Sequence, residues 1–157
     1  MNPLKIILAS IFFLLTAPAV LSQTAIASVV KQIEKAAGNN NIVVSASVSE
    51  SRSNGKLTGY QKIFVIKSNK YASDFIKAIE KERTKATKYE SKNFGGSVYY
   101  NAEFNVGSRK KPVWEYYSIA QNGPSTWLIS VGRSDYRTQR SMSCAADNCL
   151  YTPIPGL

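Results

Sequence analysis

The sequence predicts an α+β domain: an antiparallel sheet of about five strands with two helices packed on one face, in the order α-β-β-α-β-β-β. Three observations predict it. Apolar residues recur at three- and four-residue spacing in two separate stretches, as on helices with one buried face. Alternation of apolar and polar residues fills much of the remainder, as on half-buried strands. Asn54-Gly55 and Asn122-Gly123 punctuate those strands, and this dipeptide favours the tight turns of antiparallel hairpins.

The elements begin after a distinct leader, "MNPLKIILASIFFLLTAPAVLSQ". Lys5 gives a positive start, Ile6 to Leu15 is an apolar run broken only by Ser10, and small residues follow around Val20 to Ser22. That is the layout of a secretory signal peptide cut after Ser22. A spanning helix needs about 20 mostly apolar residues, and Pro18 interrupts a segment already short of that. The expectation is a signal peptide over 1–22 and one domain over 23–157, exported to the periplasm or secreted. The mature chain is expected to hold no transmembrane segment, and no cysteine stands at the cut to carry a lipid.

From Gln23 to about Ala37, Ile26, Val29, Val30, Ile33, Ala36 and Ala37 form a helical stripe that ends at Gly38-Asn39. A hairpin follows around Asn54-Gly55. With a two-residue turn as register, Val44 opposes Val65 and Ala46 opposes Ile63, giving one apolar face. The second helix is expected from about Lys70 to Tyr89, with Ala72, Phe75, Ile76, Ile79 and Ala86 on its buried side. Strands close the domain. In "SVYYNAEFN", Val98, Tyr100, Ala102 and Phe104 alternate with Tyr99, Asn101, Glu103 and Asn105. A basic tip, "GSRKKP", then leads to "VWEYYSIAQ" and "STWLISVGR". A two-residue turn at Asn122-Gly123 sets Trp114 opposite Val131, Tyr116 opposite Ile129 and Ser118 opposite Trp127 as the core face. The reverse face then carries Val113, Tyr117, Ile119 and Leu128. Either the C-terminal "LYTPIPGL" covers it, or it is a docking surface.

Cys144 and Cys149 are the only cysteines. Outside the cytosol such a pair oxidises, and a disulfide across the "AADN" loop would clip the tail in place, worth roughly 2 kcal/mol by loop entropy. Two sulfurs make half of a tetrahedral metal site, and the chain has no histidine to complete one or to activate a thiol.

Taken together, "TAIASVVKQIEKA", "SRSNGKLTGYQKIFVIKS" and "YASDFIKAIEKERTKATKY" resemble small families of exported bacterial proteins that carry a domain of unknown function. The resemblance implies export and this architecture, and it carries no activity.

The chemistry is bounded by composition. The lack of histidine removes the usual base of serine and cysteine hydrolases. Gly95-Gly96 precedes a strand rather than a helix, so it lacks the setting of a phosphate loop. Glu103 and Glu115, on neighbouring strands, are the best carboxylate pair for an enzyme acting on envelope polymer, the alternative reading. The leading expectation is a non-catalytic binding module with no cofactor. Its contact surface would use Tyr99, Tyr117 and Leu128 beside Arg109, Lys110 and Lys111. A net charge of +10 favours anionic partners. A further alternative is an electrostatic binder of anionic envelope polymers or lipid headgroups, through the helical lysines Lys77, Lys81, Lys85 and Lys88 and through Arg133, Arg137 and Arg140. A protein or an anionic envelope glycan is favoured as partner over nucleic acid.

Overall fold

The computed structural model describes residues 23–39 and 41–137, and the strand backbone alone of 140–145 and 148–153. The leader at 1–22 lies outside the described residues, as does most of "LYTPIPGL" beyond its strand backbone. Helix α1 (Thr24–Ala36) buries Ile26, Val29, Val30 and Ile33, which share one side of the helix. The Asn39 carbonyl accepts the N–H groups of Ile42 and Val43 and turns the chain into the first strand.

Strands β1 (Val43–Ser53) and β2 (Lys56–Ile66) form the expected hairpin, turned by Asn54 and Gly55 with φ of 49° and 75°. Its register departs from expectation. Ser53 pairs with Lys56 and Arg52 with Leu57, but Ser51 pairs with Gly59, so Thr58 is an extra residue on β2. Its hydroxyl donates to the Ser51 carbonyl at 3.1 Å. The bulge slips the pairs from Ser51 back to Ser45 by one, and a second irregularity at Val44 restores the count at Val43, which meets Ile66. Ser45 rather than Val44 meets Val65, Ser47 rather than Ala46 meets Ile63, and Ala46 faces Phe64. Because a one-residue slip exchanges the faces, Phe64 and Ile66 point into the core while Val44 is exposed.

Helix α2 (Asn69–Glu82) starts at Ser68, whose hydroxyl accepts the Tyr71 N–H at 3.3 Å. It buries Ala72, Phe75, Ala78 and Ile79 and ends well before Tyr89. A 3₁₀ turn, Arg83–Lys85, tightens the last coil and Ala86 is extended. The residues after it form strand β3 (Lys88–Phe94), which pairs with β4 (Ser97–Asn105) through a turn at Gly95-Gly96, both with positive φ. This corrects the expected topology. The main sheet has six antiparallel strands, not about five, and the order is α-β-β-α-β-β-β-β. The α+β class itself stands.

Strands β5 (Trp114–Gln121) and β6 (Trp127–Ser134) are also shifted from expectation: Gln121 pairs with Trp127, Ile119 with Ile129 and Tyr117 with Val131. The loop runs over five residues, closed by the Asn122 N–H donating to the Thr126 carbonyl at 2.7 Å. A two-residue turn would have placed Pro124 in the ladder of a central strand, where it has no N–H to give. The longer loop removes it.

In space the strands lie β1-β2-β6-β5-β4-β3. Both helices pack on one face, where Phe64, Ile66, Ala102, Phe104, Tyr117, Ile119, Trp127, Ile129 and Val131 meet the buried sides of α1 and α2. Each fully buried large apolar side chain here contributes about 1.5–3 kcal/mol. Phe104 meets Tyr117 edge to face, centroids 5.6 Å apart, and the Trp127 indole donates to Asn69 Oδ1 at 2.8 Å, tying β6 to the start of α2. The expected core and reverse faces of β5 are therefore exchanged: Tyr117 and Ile119 are core, each 0% exposed. The face without helices has a small polar centre at Ser118, Ser130, Gly132 and Gln61, whose amide donates to Ser130 Oγ at 2.9 Å. Strands β7 (Arg140–Ala145) and β8 (Asn148–Pro153) form a separate pair in which Cys144 and Cys149 hold opposite positions. Their side chains lie outside the described residues, and with them the expected disulfide.

Candidate anion-binding face

On the outer side of the helix layer, α1 presents Lys31 and Lys35, one turn apart, opposite its buried stripe. Helix α2 presents Lys70, Lys77 and Lys81; at 3.6 residues per turn these fall in one narrow row, again opposite the buried side. The two helices pack side by side and antiparallel, since Glu82 at the end of α2 accepts the N–H of Ala25 at the start of α1. Counting equal rises from that contact, Lys31 lies level with Ile76, beside Lys77, and Lys35 lies level with Ala72, in the turn that begins near Lys70. The rows thus run beside each other.

What leaves this face charged is the fate of the acids. Every glutamate in the chain has a cationic partner: Glu34 with Lys62, Glu50 with Arg52, Glu80 with Arg83, Glu82 with Lys85, Glu90 with Lys88 and Lys92, Glu103 with Arg137, and Glu115 with Arg133. The exposed lysines at 31, 35, 70, 77 and 81 have no ion pair among the described residues, and Asp74 is the single acid between them that is free of one. A lysine row supplies point charges on long stems, which suits a polyanion and dictates no fixed ligand geometry.

The structure sorts the expected anion-binding residues into different places. Lys77 and Lys81 belong to the face. Lys85 sits in the 3₁₀ turn with its ammonium 3.6 Å from Glu82. Lys88 is on β3 opposite Glu103, on the far side of the sheet from the helices. Arg133 points to the helix side and pairs with Glu115 at 3.4 Å, whereas Arg137 reaches the other side, 3.2 Å from Glu103 and 4.8 Å from the Trp114 ring. The Arg140 side chain lies outside the described residues. Lys31, Lys35 and Lys70 went unnoticed in the sequence because nothing there sets α1 against α2. The signal available was their position opposite each apolar stripe.

The expected contact surface does not assemble either. Tyr117 is buried in the core. Tyr99 and Leu128 do share the helix-free face, flanking Ala120 on the strand between them. Arg109, Lys110 and Lys111 are exposed on the β4–β5 loop at the other end of β4, about 20 Å away at the strand rise. That loop is closely built, with Val106 N–H donating to the Val113 carbonyl at 2.8 Å.

Glu103 and Glu115 lie on opposite faces of the sheet, since they are one position out of register: Glu103 opposes Tyr116 and Glu115 opposes Phe104. Glu115 is 0% exposed and accepts the Tyr117 hydroxyl at 2.6 Å. Burial first, then the Glu115 charge, pushes the Tyr117 phenol far above its ordinary range. Tyr60 beside them is raised by the same two causes, with Arg133 opposing. Lys62 donates to Glu34 Oε1 at 2.7 Å and joins this polar group to α1. Its members hold strands and helix together beneath the surface. Among the described residues no cluster of three or more His, Cys, Asp or Glu could hold a metal ion.

The fold and this face define a small α+β domain with a basic helix layer. Comparison with protein-family models finds no match for the chain, and a search of curated proteins finds none either.

Proposed function

We propose that the protein is an exported, non-catalytic module that binds an anionic polymer of the bacterial envelope through the outer face of its helix layer. The observation that carries this reading is the pair of lysine rows without acidic partners in a chain whose glutamates are all engaged by cations. Export rests on the leader and on the resemblance to small exported families. No described helix is long and apolar enough to cross a membrane. The protein acts in the periplasm or outside the cell.

The test is binding of the domain over 23–157 to polyphosphate, to an acidic polysaccharide and to a neutral one, each at low and high salt. Neutralising a polyanion releases condensed counterions, so affinity for the anionic pair should collapse at high salt. Replacing Lys31, Lys35, Lys70, Lys77 and Lys81 together with glutamine should lower low-salt affinity by at least about tenfold, roughly 1.4 kcal/mol. Binding that tolerates salt, or survives these replacements, would overturn the reading.

A further inference from the structure

We propose that Glu82 is the docking site for the N-terminus that leader removal creates, so that cleavage between Ser22 and Gln23 completes an ion pair inside the fold. This rests on the export reading above. Glu82 is 3% exposed, and carboxylates are rarely so buried unless paired. Its Oε1 accepts the Ala25 N–H at 2.7 Å, in the first turn of α1. Its Oε2 is closed to solvent and accepts no hydrogen bond. The ammonium of Lys85 stands 3.6 Å from that oxygen, on a side chain 68% exposed, too far for a hydrogen bond. A buried carboxylate oxygen without a donor is costly. The geometry leaves room in the hydrogen-bond pattern for one more donor at this point.

The start of α1 supplies it. Gln23 is the N-cap of α1, is 7% exposed, and makes no side-chain capping bond. Its backbone nitrogen is two residues from that of Ala25, at the same end of the helix. Before cleavage this nitrogen is a neutral amide with a single N–H. Hydrolysis adds water across the Ser22–Gln23 bond, leaving a carboxylate on Ser22 and an amine on Gln23. That amine is protonated at neutral pH, since α-amino groups ordinarily titrate near about 8. A positive charge at a helix N-terminus is opposed by the helix dipole, and a buried carboxylate beside it reverses the sign. Among the described residues, Lys85 and the neutral Tyr117 phenol are charged or titratable groups that interact with Glu82.

Docking has a chemical corollary. A free N-terminal glutamine cyclises when its amine attacks its own side-chain amide carbon; a ring C–N bond forms and ammonia leaves. An ammonium held on Glu82 has no lone pair to attack with, so cyclisation is slowed.

The experiment compares a chain beginning at Gln23 with one carrying Gly-Ser ahead of Gln23, each with and without Glu82→Gln. That substitution keeps an oxygen for the Ala25 N–H. The extension should lower the melting temperature of the parent by about 4 °C and change nothing in the Glu82→Gln background. The parent's α-amine should titrate at about 9 or above, returning to about 8 in the variant. With its folded value raised, the pair stabilises fully below about pH 8 and fades as pH rises past about 9. An extension that costs the same in both backgrounds, or a parental α-amine at about 8, overturns the proposal. If Glu82→Gln does not fold, the parental titration alone decides. The mass of the exported protein tests the leader separately. A start at Gln23 supports maturation at this bond, whereas any other start overturns that role and leaves the four-chain comparison to judge the pairing.

Discussion

At the scale of single residues, the firmest interactions are polar ones in the core. The Tyr117 hydroxyl gives Glu115 a 2.6 Å hydrogen bond where neither residue touches water. Tyr117→Phe keeps the ring packed on Phe104 and removes that donor alone, leaving a buried carboxylate short of a partner. The expected loss is about 2 kcal/mol, read from the midpoint of urea unfolding at unchanged slope. The raised phenols make a second prediction. Tyr60, Tyr89 and Tyr117 stay neutral in the folded state beyond the ordinary tyrosine value of 10.0. The unfolded chain releases those protons first, so stability is full below about pH 10 and declines above it. Phenolate absorbance should therefore rise in two stages on alkaline titration, the later one coinciding with loss of the fold. A single stage accounting for every tyrosine before unfolding would contradict this.

At the scale of elements, legibility followed the strength of each local signal. Both helices could be read because their apolar stripes are unbroken; Asn54-Gly55 was read because only a positive-φ turn suits it. Strand β3 was missed because Lys88 extends the lysine stripe of the helix and draws its expected end out to Tyr89. Gly95-Gly96 held the signal, as a two-residue hairpin turn rather than a failed phosphate loop. The registers failed for a different reason. A bulge at Thr58 moved pairs by one residue and a five-residue loop around Pro124 moved them by three, and a count from the turn carries such an odd error into the face assignments. That is why Tyr117 was expected on the surface. Packing against the helices, not the turn, sets its side. The β4–β5 loop offers a test of local geometry. A Cβ on Gly107 would lie 2.3 Å from the Lys111 carbonyl oxygen and 2.4 Å from the Val113 nitrogen. Both are backbone atoms that cannot swing away. Gly107→Ala should cost about 2 kcal/mol or more, measured by thermal unfolding, and should expose the Val106 amide to hydrogen exchange.

For the whole molecule, charge is distributed by function of place. Glutamates hold cations at strand ends, helix ends and in the core. Among the described residues the cations left over are the lysine rows of the helix layer, Lys56, Lys67, and Arg109, Lys110 and Lys111 of the β4–β5 loop. The total was legible in the composition, whereas its location depended on which helix faces which and on where β3 begins. If the rows act together, each lysine replaced should flatten the salt dependence of polyphosphate binding by a similar step. Replacing Arg109, Lys110 and Lys111, at a distant loop, should leave that slope unchanged. Titrations at several ionic strengths would show either pattern.

The strand order also says when this chain can fold. β2 finds its inner neighbour only in β6, with Gly59 paired to Ser134 and Ile66 to Trp127. Until the last of those residues has been made, the β1–β2 hairpin has an open inner edge and the helices have half a floor. Pairings so remote in sequence close slowly. A polypeptide built this way stays threadable through synthesis and gains its shape only near the end, the timing demanded of any chain that must pass through a narrow channel before it folds.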